Sequence, residues 1–195
     1  MMAAPDELRV TIVGRGGHGA TPHLTVDPVL TACQVITALQ QVVARNVNPF
    51  QPAVVTIGMI QGGSAHNVIP DEVSFVGTVR TMDPELRRLM PERIEAVVRG
   101  ICAAAGASYR FHYEHGYPVL VNHPEMTALA RQAAVDVLGA DKVEQMEPSM
   151  GGEDFAYYLE RVPGTFARLG ARAHDDAAPY GLHTSRLMVD ESCIA

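Results

Sequence analysis

The residues able to do chemistry in this chain are concentrated in a few short stretches. The first is Gly14-Arg15-Gly16-Gly17-His18-Gly19, a glycine-rich loop around a histidine. Its G-x-G-x-x-G spacing suits a dinucleotide only if a helix starts at the glycines and an acid follows about 20 residues on. Here Pro22 intervenes, and no Asp or Glu lies between Pro28 and Pro70, so that requirement fails. The glycines then read as a flexible turn presenting His18, either to a ligand or simply to solvent. The second stretch is Gly62-Gly63-Ser64-Ala65-His66-Asn67-Val68-Ile69-Pro70. Asn67 could be a turn residue, or it could aim an amide, both donor and acceptor, at a ligand. Arg80, beside Thr81 and two residues after Thr78, suits either a solvated strand edge or a bidentate grip on a carboxylate.

The third stretch is Met150-Gly151-Gly152-Glu153-Asp154-Phe155. Acids in a first helical turn are favoured by the macrodipole without any functional role. Gly151 and Gly152 add something that role does not need, a backbone able to approach a ligand closely. The chain has eight histidines, among them His174 and His183 in a loop-rich tail. A hydrolytic metal site needs several His or carboxylate ligands and an open position for water. Spacing alone assembles no such set, and there is no H-E-x-x-H. The three cysteines, Cys33, Cys102 and Cys193, are far apart and form no C-x-x-C. They exclude a cysteine-based zinc site and imply free, mostly buried thiols in a reducing compartment.

The elements that must position these residues follow from periodicity. Residues 8–14 alternate, with Leu8, Val10 and Ile12 on one side, and read as a strand. Asp27-Pro28 supplies a cap and a first-turn proline for a helix ending near Arg45, with an apolar stripe of Val29, Cys33, Ile36, Leu39 and Val43. Residues 53–60 and 72–80 read as strands; in the latter Val73, Phe75, Gly77 and Val79 face one way, Thr78 and Arg80 the other. Asp83-Pro84 opens a second helix, with a stripe of Leu86, Leu89, Ile94, Val97, Val98 and Ile101, that Gly106 closes and Pro91 should kink or split. Tyr109, Phe111 and Tyr113 alternate in a fourth strand. The order over residues 8–115 is therefore β-α-β-β-α-β, the ferredoxin-like split βαβ, with two helices on one sheet face and a partner or cleft on the other. Residues 116–195 hold a helix opened by His123-Pro124, a short one starting at Glu153-Asp154 and a strand-like 166–170. Such a set can barely bury a core of its own.

Composition narrows the function class. Of 195 residues, 47% are hydrophobic and 19% charged, and 15 basic against 22 acidic residues give a net charge of −7. An anionic surface repels phosphate backbones, so nucleic acid is not the expected partner. No apolar run approaches the roughly 20 residues that span a bilayer, and the first residues lack a signal-peptide pattern, so a cytoplasmic protein without a membrane partner is expected.

Four strings in order, GRGGHGATPHLTVDP, GGSAHNVIPDEVSFVGTVR, GGEDFAYYLERVPG and GLHTS, resemble the metal-dependent amidohydrolases that include hippurate hydrolase and the N-acyl-amino-acid hydrolases. The resemblance runs from about Asp6 to Glu191, with hippurate hydrolase-like members nearest. It implies an α+β chain in two parts. Residues 6–115 would be a ferredoxin-like lid and dimerisation domain, and residues 116–195 the closing portion of an α/β catalytic domain. It implies hydrolysis of the amide bond of N-acyl amino acids by water activated at two divalent metal ions, zinc or manganese, in a homodimer paired through the lid. By position, His18 matches the catalytic histidine that reaches the partner subunit and stabilises the oxyanion. Asn67, Arg80, Gly151 and Gly152 match substrate-binding positions, His183 the last metal ligand, and Glu191 a common downstream acid. The family's other metal ligands and its general-base glutamate have no counterpart here, Met1 matches an internal position, and the chain stops soon after Glu191. The expectation is thus a fragment inactive by itself. The alternative is a non-catalytic dimerisation or small-molecule-binding module of the same topology.

Overall fold

The computed structural model describes residues 1–171 and 184–194. Four long strands form one antiparallel sheet: β1 (Ala4–Val13), β3 (Ala53–Gly62), β5 (Glu72–Thr81) and β6 (Ser108–His115), in the order β3-β5-β1-β6. Two short strands, β2 (Gly17–His18) and β4 (Val68–Ile69), pair with each other at one end of it. Helices α1 (Pro28–Asn46) and α2 (Pro84–Ala105) complete the ferredoxin-like β-α-β-β-α-β path.

Local chemistry sets these boundaries. Asp27 caps α1, its Oδ1 accepting from the amides of Val29 at 2.8 Å and Leu30 at 3.1 Å. Asp83 caps α2 through the Leu86 amide at 2.7 Å. Gly106 ends α2 with a left-handed φ of 69°, which a residue with a Cβ adopts only with strain. Between the caps, alternation decides the faces. Leu8, Val10, Ile12, Val73, Phe75 and Val79 are buried against the helices, and burying each such side chain is worth about 1.5–3 kcal/mol. The opposite face is polar: Glu7 lies opposite Thr78 and Glu114, Arg9 opposite His112, and Thr11 opposite Arg110.

The helices differ from the sequence reading in two ways. In α1 the buried stripe is Ala32, Val35, Leu39 and Val42, while Val29 and Cys33 are exposed. The helix is apolar on two adjacent flanks: of the expected stripe Leu39 is buried and Ile36 and Val43 pack against the core, but spacing alone missed Ala32, Val35 and Val42. Pro91 does not split α2, which runs as one helix with Leu86, Met90, Ile94, Val98 and Cys102 buried along one side. Packing on both sides of the proline holds the two turns in line. Cys102 is the buried thiol, Cys33 is exposed and Cys193 half-buried, so the thiols are not mostly buried as a set.

Beyond Gly116 the chain returns beside its own beginning. Met2 pairs with Leu120 in both directions at 3.0 Å, and Ala3 donates to Ser149 at 3.0 Å. Helices α3 (Pro124–Leu138) and α4 (Ala156–Leu159) follow, α4 two residues later than Glu153-Asp154 suggested. Residues 166–170 form no strand, because no neighbouring strand is there to pair with them among the described residues. The core of this part is small, Met2, Leu120 and Ala156 with Phe155, Leu159 and Phe166 around them. Helix α3 buries no residue, and Leu129, Val137 and Leu138 lie exposed on it.

Candidate functional site

The histidine loop and the asparagine loop, far apart in sequence, meet in space. Gly17 pairs with Ile69 and His18 with Val68, and the Gly19 amide donates to the Asn67 carbonyl at 2.8 Å. Asp71 anchors the junction, taking the Gly14 amide on its carbonyl and the Gly16 amide on its carboxylate, both at 2.8 Å. The loop glycines are there for space and not for turn freedom, since none of them has a left-handed φ. A Cβ on Gly14 would stand 2.1 Å from the Val26 carbonyl oxygen, and one on Gly16 2.5 Å from that of Ile69.

This packing orients the His18 ring. Its Nδ1 accepts from the Ala20 amide at 3.0 Å, the tautomer whose hydrogen is on Nε2. The side chain is exposed. The result is a pre-oriented N–H donor facing outward, the group an oxyanion requires. Asn67 is exposed beside it, its amide unengaged among the described residues.

Arg80, Gly151 and Gly152 come together at the other end of the sheet. They line one cleft of about 1240 Å³ with Pro5, Glu153 and Arg168. Gly152 sits so close to Pro5 that a Cβ would be 2.4 Å from the proline ring. Arg80 is held by the Thr78 hydroxyl, which itself donates to the Asp6 carbonyl at 3.1 Å. Neither Arg80 nor Arg168 has a carboxylate partner among the described residues. Both guanidinium groups are thus available to an anionic ligand.

The two clusters are far apart within one chain. Asn67 and His18 adjoin the Val13–Glu72 end of the sheet, and Arg80 pairs with Pro5 at the opposite end. Ten residues of β1 at roughly 3.3 Å each separate the ends by about 30 Å. His183, with His174 and Asp176, lies outside the described residues. Among the described residues no three His, Cys, Asp or Glu side chains are grouped to hold a metal ion. By themselves these residues therefore do not fit a two-metal centre. Nor is any helix among them long and apolar enough to cross a membrane.

One cluster escaped the sequence reading. Asp6 is buried on the helix side of β1 and accepts from Arg87 Nη2 at 2.6 Å, Tyr113 Oη at 3.0 Å and the Gly116 amide at 3.1 Å. His115 Nδ1 lies 3.1 Å away. Burial pushes the carboxyl up, but the Arg87 bonds and charge, with Tyr113 and Gly116, outweigh it and hold Asp6 below the usual carboxylate range. The same carboxylate and burial push the Tyr113 phenol far up. The signal was present, since Asp6 shares an alternation with Ala4, Leu8, Val10 and Ile12.

Comparison with known proteins fits this fold. Residues 6–110 match the peptidase dimerisation domain of the M20 family. The chain belongs to that family. It is 43% identical over 196 residues to N-acetyl-L-cysteine deacetylase of Bacillus subtilis, covering 100% of this chain and 45% of that protein. It is 39% identical to N-acetyldiaminopimelate deacetylase of Priestia megaterium, covering 100% of this chain and 50% of the other. Among solved structures, YXEP of Bacillus subtilis, described as a dinuclear metal-binding peptidase of the M20 family, matches with a TM-score of 0.74 at 32% identity. That match covers 100% of this chain and 47% of YXEP. The chain thus spans about half the length of the curated relatives it matches.

Proposed function

We propose that this chain is the lid and closing portion of a metal-dependent amidohydrolase that releases an amino acid and a carboxylic acid from an N-acyl amino acid, hippurate-type substrates included. The observation that carries this reading is His18, whose Nε2–H is fixed as an outward donor by the Ala20 amide. In hydrolysis, water attacks the amide carbonyl and its oxygen gains negative charge. An N–H already aimed at that oxygen stabilises the transition state more than the substrate. Asn67 lies beside it to orient the acyl amide, and Arg80 supplies a guanidinium for the amino acid's carboxylate. Gly151 and Gly152 let the backbone wall of the cleft come close to the substrate. His183, the one metal ligand this reading assigns to the chain, lies outside the described residues.

With His18 and Arg80 at opposite ends of a sheet about 30 Å long, this reading calls for a two-chain site, each protomer lending its histidine to the other's cleft. Strand β3 suits the pairing surface. It is an edge strand of ten residues with Met59 and Ile60 exposed, and an unprotected edge is a template for a second copy.

The test is reconstitution. The chain is joined to the amino-terminal half of the Bacillus subtilis deacetylase and assayed with zinc or manganese on N-acetyl and N-benzoyl amino acids. The 195-residue chain by itself is expected to be inactive, and the joined protein active. Removing the His18 donor should lower kcat about 10²–10³-fold. An active joined protein indifferent to His18→Ala would refute the role given to this residue.

A further inference from the structure

The lid is tied to the rest of the chain at two crossings, residues 3–6 where β1 begins and residues 115–117 where β6 ends. The pairing of one crossing with the other is interrupted, while Ala4, Pro5 and Asp6 stay paired with β5. Asp6 is opposite His115 in the sheet, and Met2 pairs with Leu120 beyond it. The stretch between carries Pro5, Gly116 and Pro118. Here the backbones nearly touch, since a Cβ on Gly116 would lie 2.0 Å from the Pro5 carbonyl oxygen. With the entering crossing held on β5, the gap and its prolines, which lack amide donors, are where the leaving crossing would bend.

One side chain spans that gap. The Asp6 carboxylate belongs to the entering crossing and takes the amide of Gly116 in the leaving one at 3.1 Å. Arg87, from α2, closes the ring with Nη2 donating both to Asp6 Oδ1 at 2.6 Å and to the Gly116 carbonyl at 2.8 Å. Tyr113 and His115 fill the second carboxylate oxygen at 3.0 and 3.1 Å. The Asp6 side chain is 1% exposed, so water does not compete for these bonds. The two walls of the cleft then rest on neighbouring residues, one on Asp6 and the other on Pro5. On one side the Asp6 carbonyl accepts from Thr78, whose hydroxyl holds Arg80. On the other, Gly152 lies against Pro5.

We infer that Asp6 is a positioning residue. Its carboxylate, with Arg87, locks the two crossings into one rigid joint, and through that joint it sets Arg80 relative to the Gly151–Gly152 wall. The value of this placement to catalysis rests on the amidohydrolase reading; the clamp itself does not.

The experiment is amide hydrogen exchange on the full 195-residue chain, without substrate, so its result is independent of that reading. The variants are Asp6→Asn and the milder Tyr113→Phe, with Arg110→Gln, which removes a surface pair to Glu72 at 2.7 Å, as control. The informative amides are Met2, Ala3 and Leu120, which do not touch Asp6. Val10 and Phe75, deep in the sheet, report whole-lid opening. The clamp predicts that Asp6→Asn speeds exchange at the joint amides about tenfold more than at Val10 and Phe75. Tyr113→Phe should do so to a smaller degree, and Arg110→Gln not at all. The Arg80 Nε–H resonance should shift in Asp6→Asn. Equal acceleration at both sets would overturn the proposal, because Asp6 would then only stabilise the lid. No change at the joint would overturn it equally. If Asp6→Asn fails to fold, Tyr113→Phe decides between these outcomes.

Discussion

Replacing Asp6 by alanine should be among the most damaging single changes to this fold. It would strip Arg87, whose side chain is 16% exposed, of its carboxylate at 2.6 Å. It would also leave the Tyr113 hydroxyl and the Gly116 amide without an acceptor. Breaking a buried pair from one side costs about 3–5 kcal/mol, most of it the stranded charge. Domains of this size are stable by roughly 5–15 kcal/mol, so Asp6→Ala should take a large share of the total. Removing both charges is a different perturbation. In Asp6→Ala/Arg87→Met no charge is stranded, and a methionine follows much of the path of the arginine stem. The double variant should therefore recover about 1–3 kcal/mol of the single loss. The assay is urea unfolding by circular dichroism, with wild type, both single variants and the double variant in one cycle. A single-variant loss below about 1 kcal/mol would refute the reasoning. So would a double variant less stable than Asp6→Ala.

Other perturbations test separate parts of the account. Asp6 has its carboxyl pKa lowered by folding. Its contribution is therefore fully present above the unfolded value of about 3.9 and is lost as pH falls through the lower folded value. The wild-type melting temperature should fall more steeply than that of Asp6→Asn as pH drops below about 4, and parallel curves would contradict the assignment. Gly14→Ala places a Cβ 2.1 Å from the Val26 carbonyl oxygen. It should cost about 1–3 kcal/mol in a thermal melt, and a neutral result would show that the loop yields freely. Met59→Lys/Ile60→Lys puts charge on the exposed edge strand β3 and should turn a dimer into a monomer by sedimentation equilibrium; an unchanged dimer would move the interface elsewhere.

The sheet was legible because three of its strands alternate, the stretch 53–60 is an unbroken β-branched run, and its helices begin at Asp-Pro caps. Those signals are local, so Asp27, Asp83 and Gly106 fall at the expected ends. The α1 burial face was less legible because the helix is apolar on two flanks, and only the sheet beneath it selects Ala32, Val35, Leu39 and Val42. A strand at 166–170 was expected from apolar content, but a strand exists only with a partner. The physical purpose of the glycine loop, room for the Val26 and Ile69 carbonyls, required coordinates. Asp6 was missed because the strand was read from Leu8, two residues after the one charge on its buried face.

The most direct measurement of the central claim uses the joined protein with two defects kept on separate chains. His18→Ala and Arg80→Ala variants are each assayed alone, then mixed in equal amounts after dissociation and reassociation. If histidine and arginine serve one reaction from opposite protomers, each variant is crippled alone. Random pairing then restores about one quarter of wild-type activity, because half the dimers are mixed and each of those has one intact site. Activity in the mixture no greater than the average of the two variants would contradict a site shared between chains.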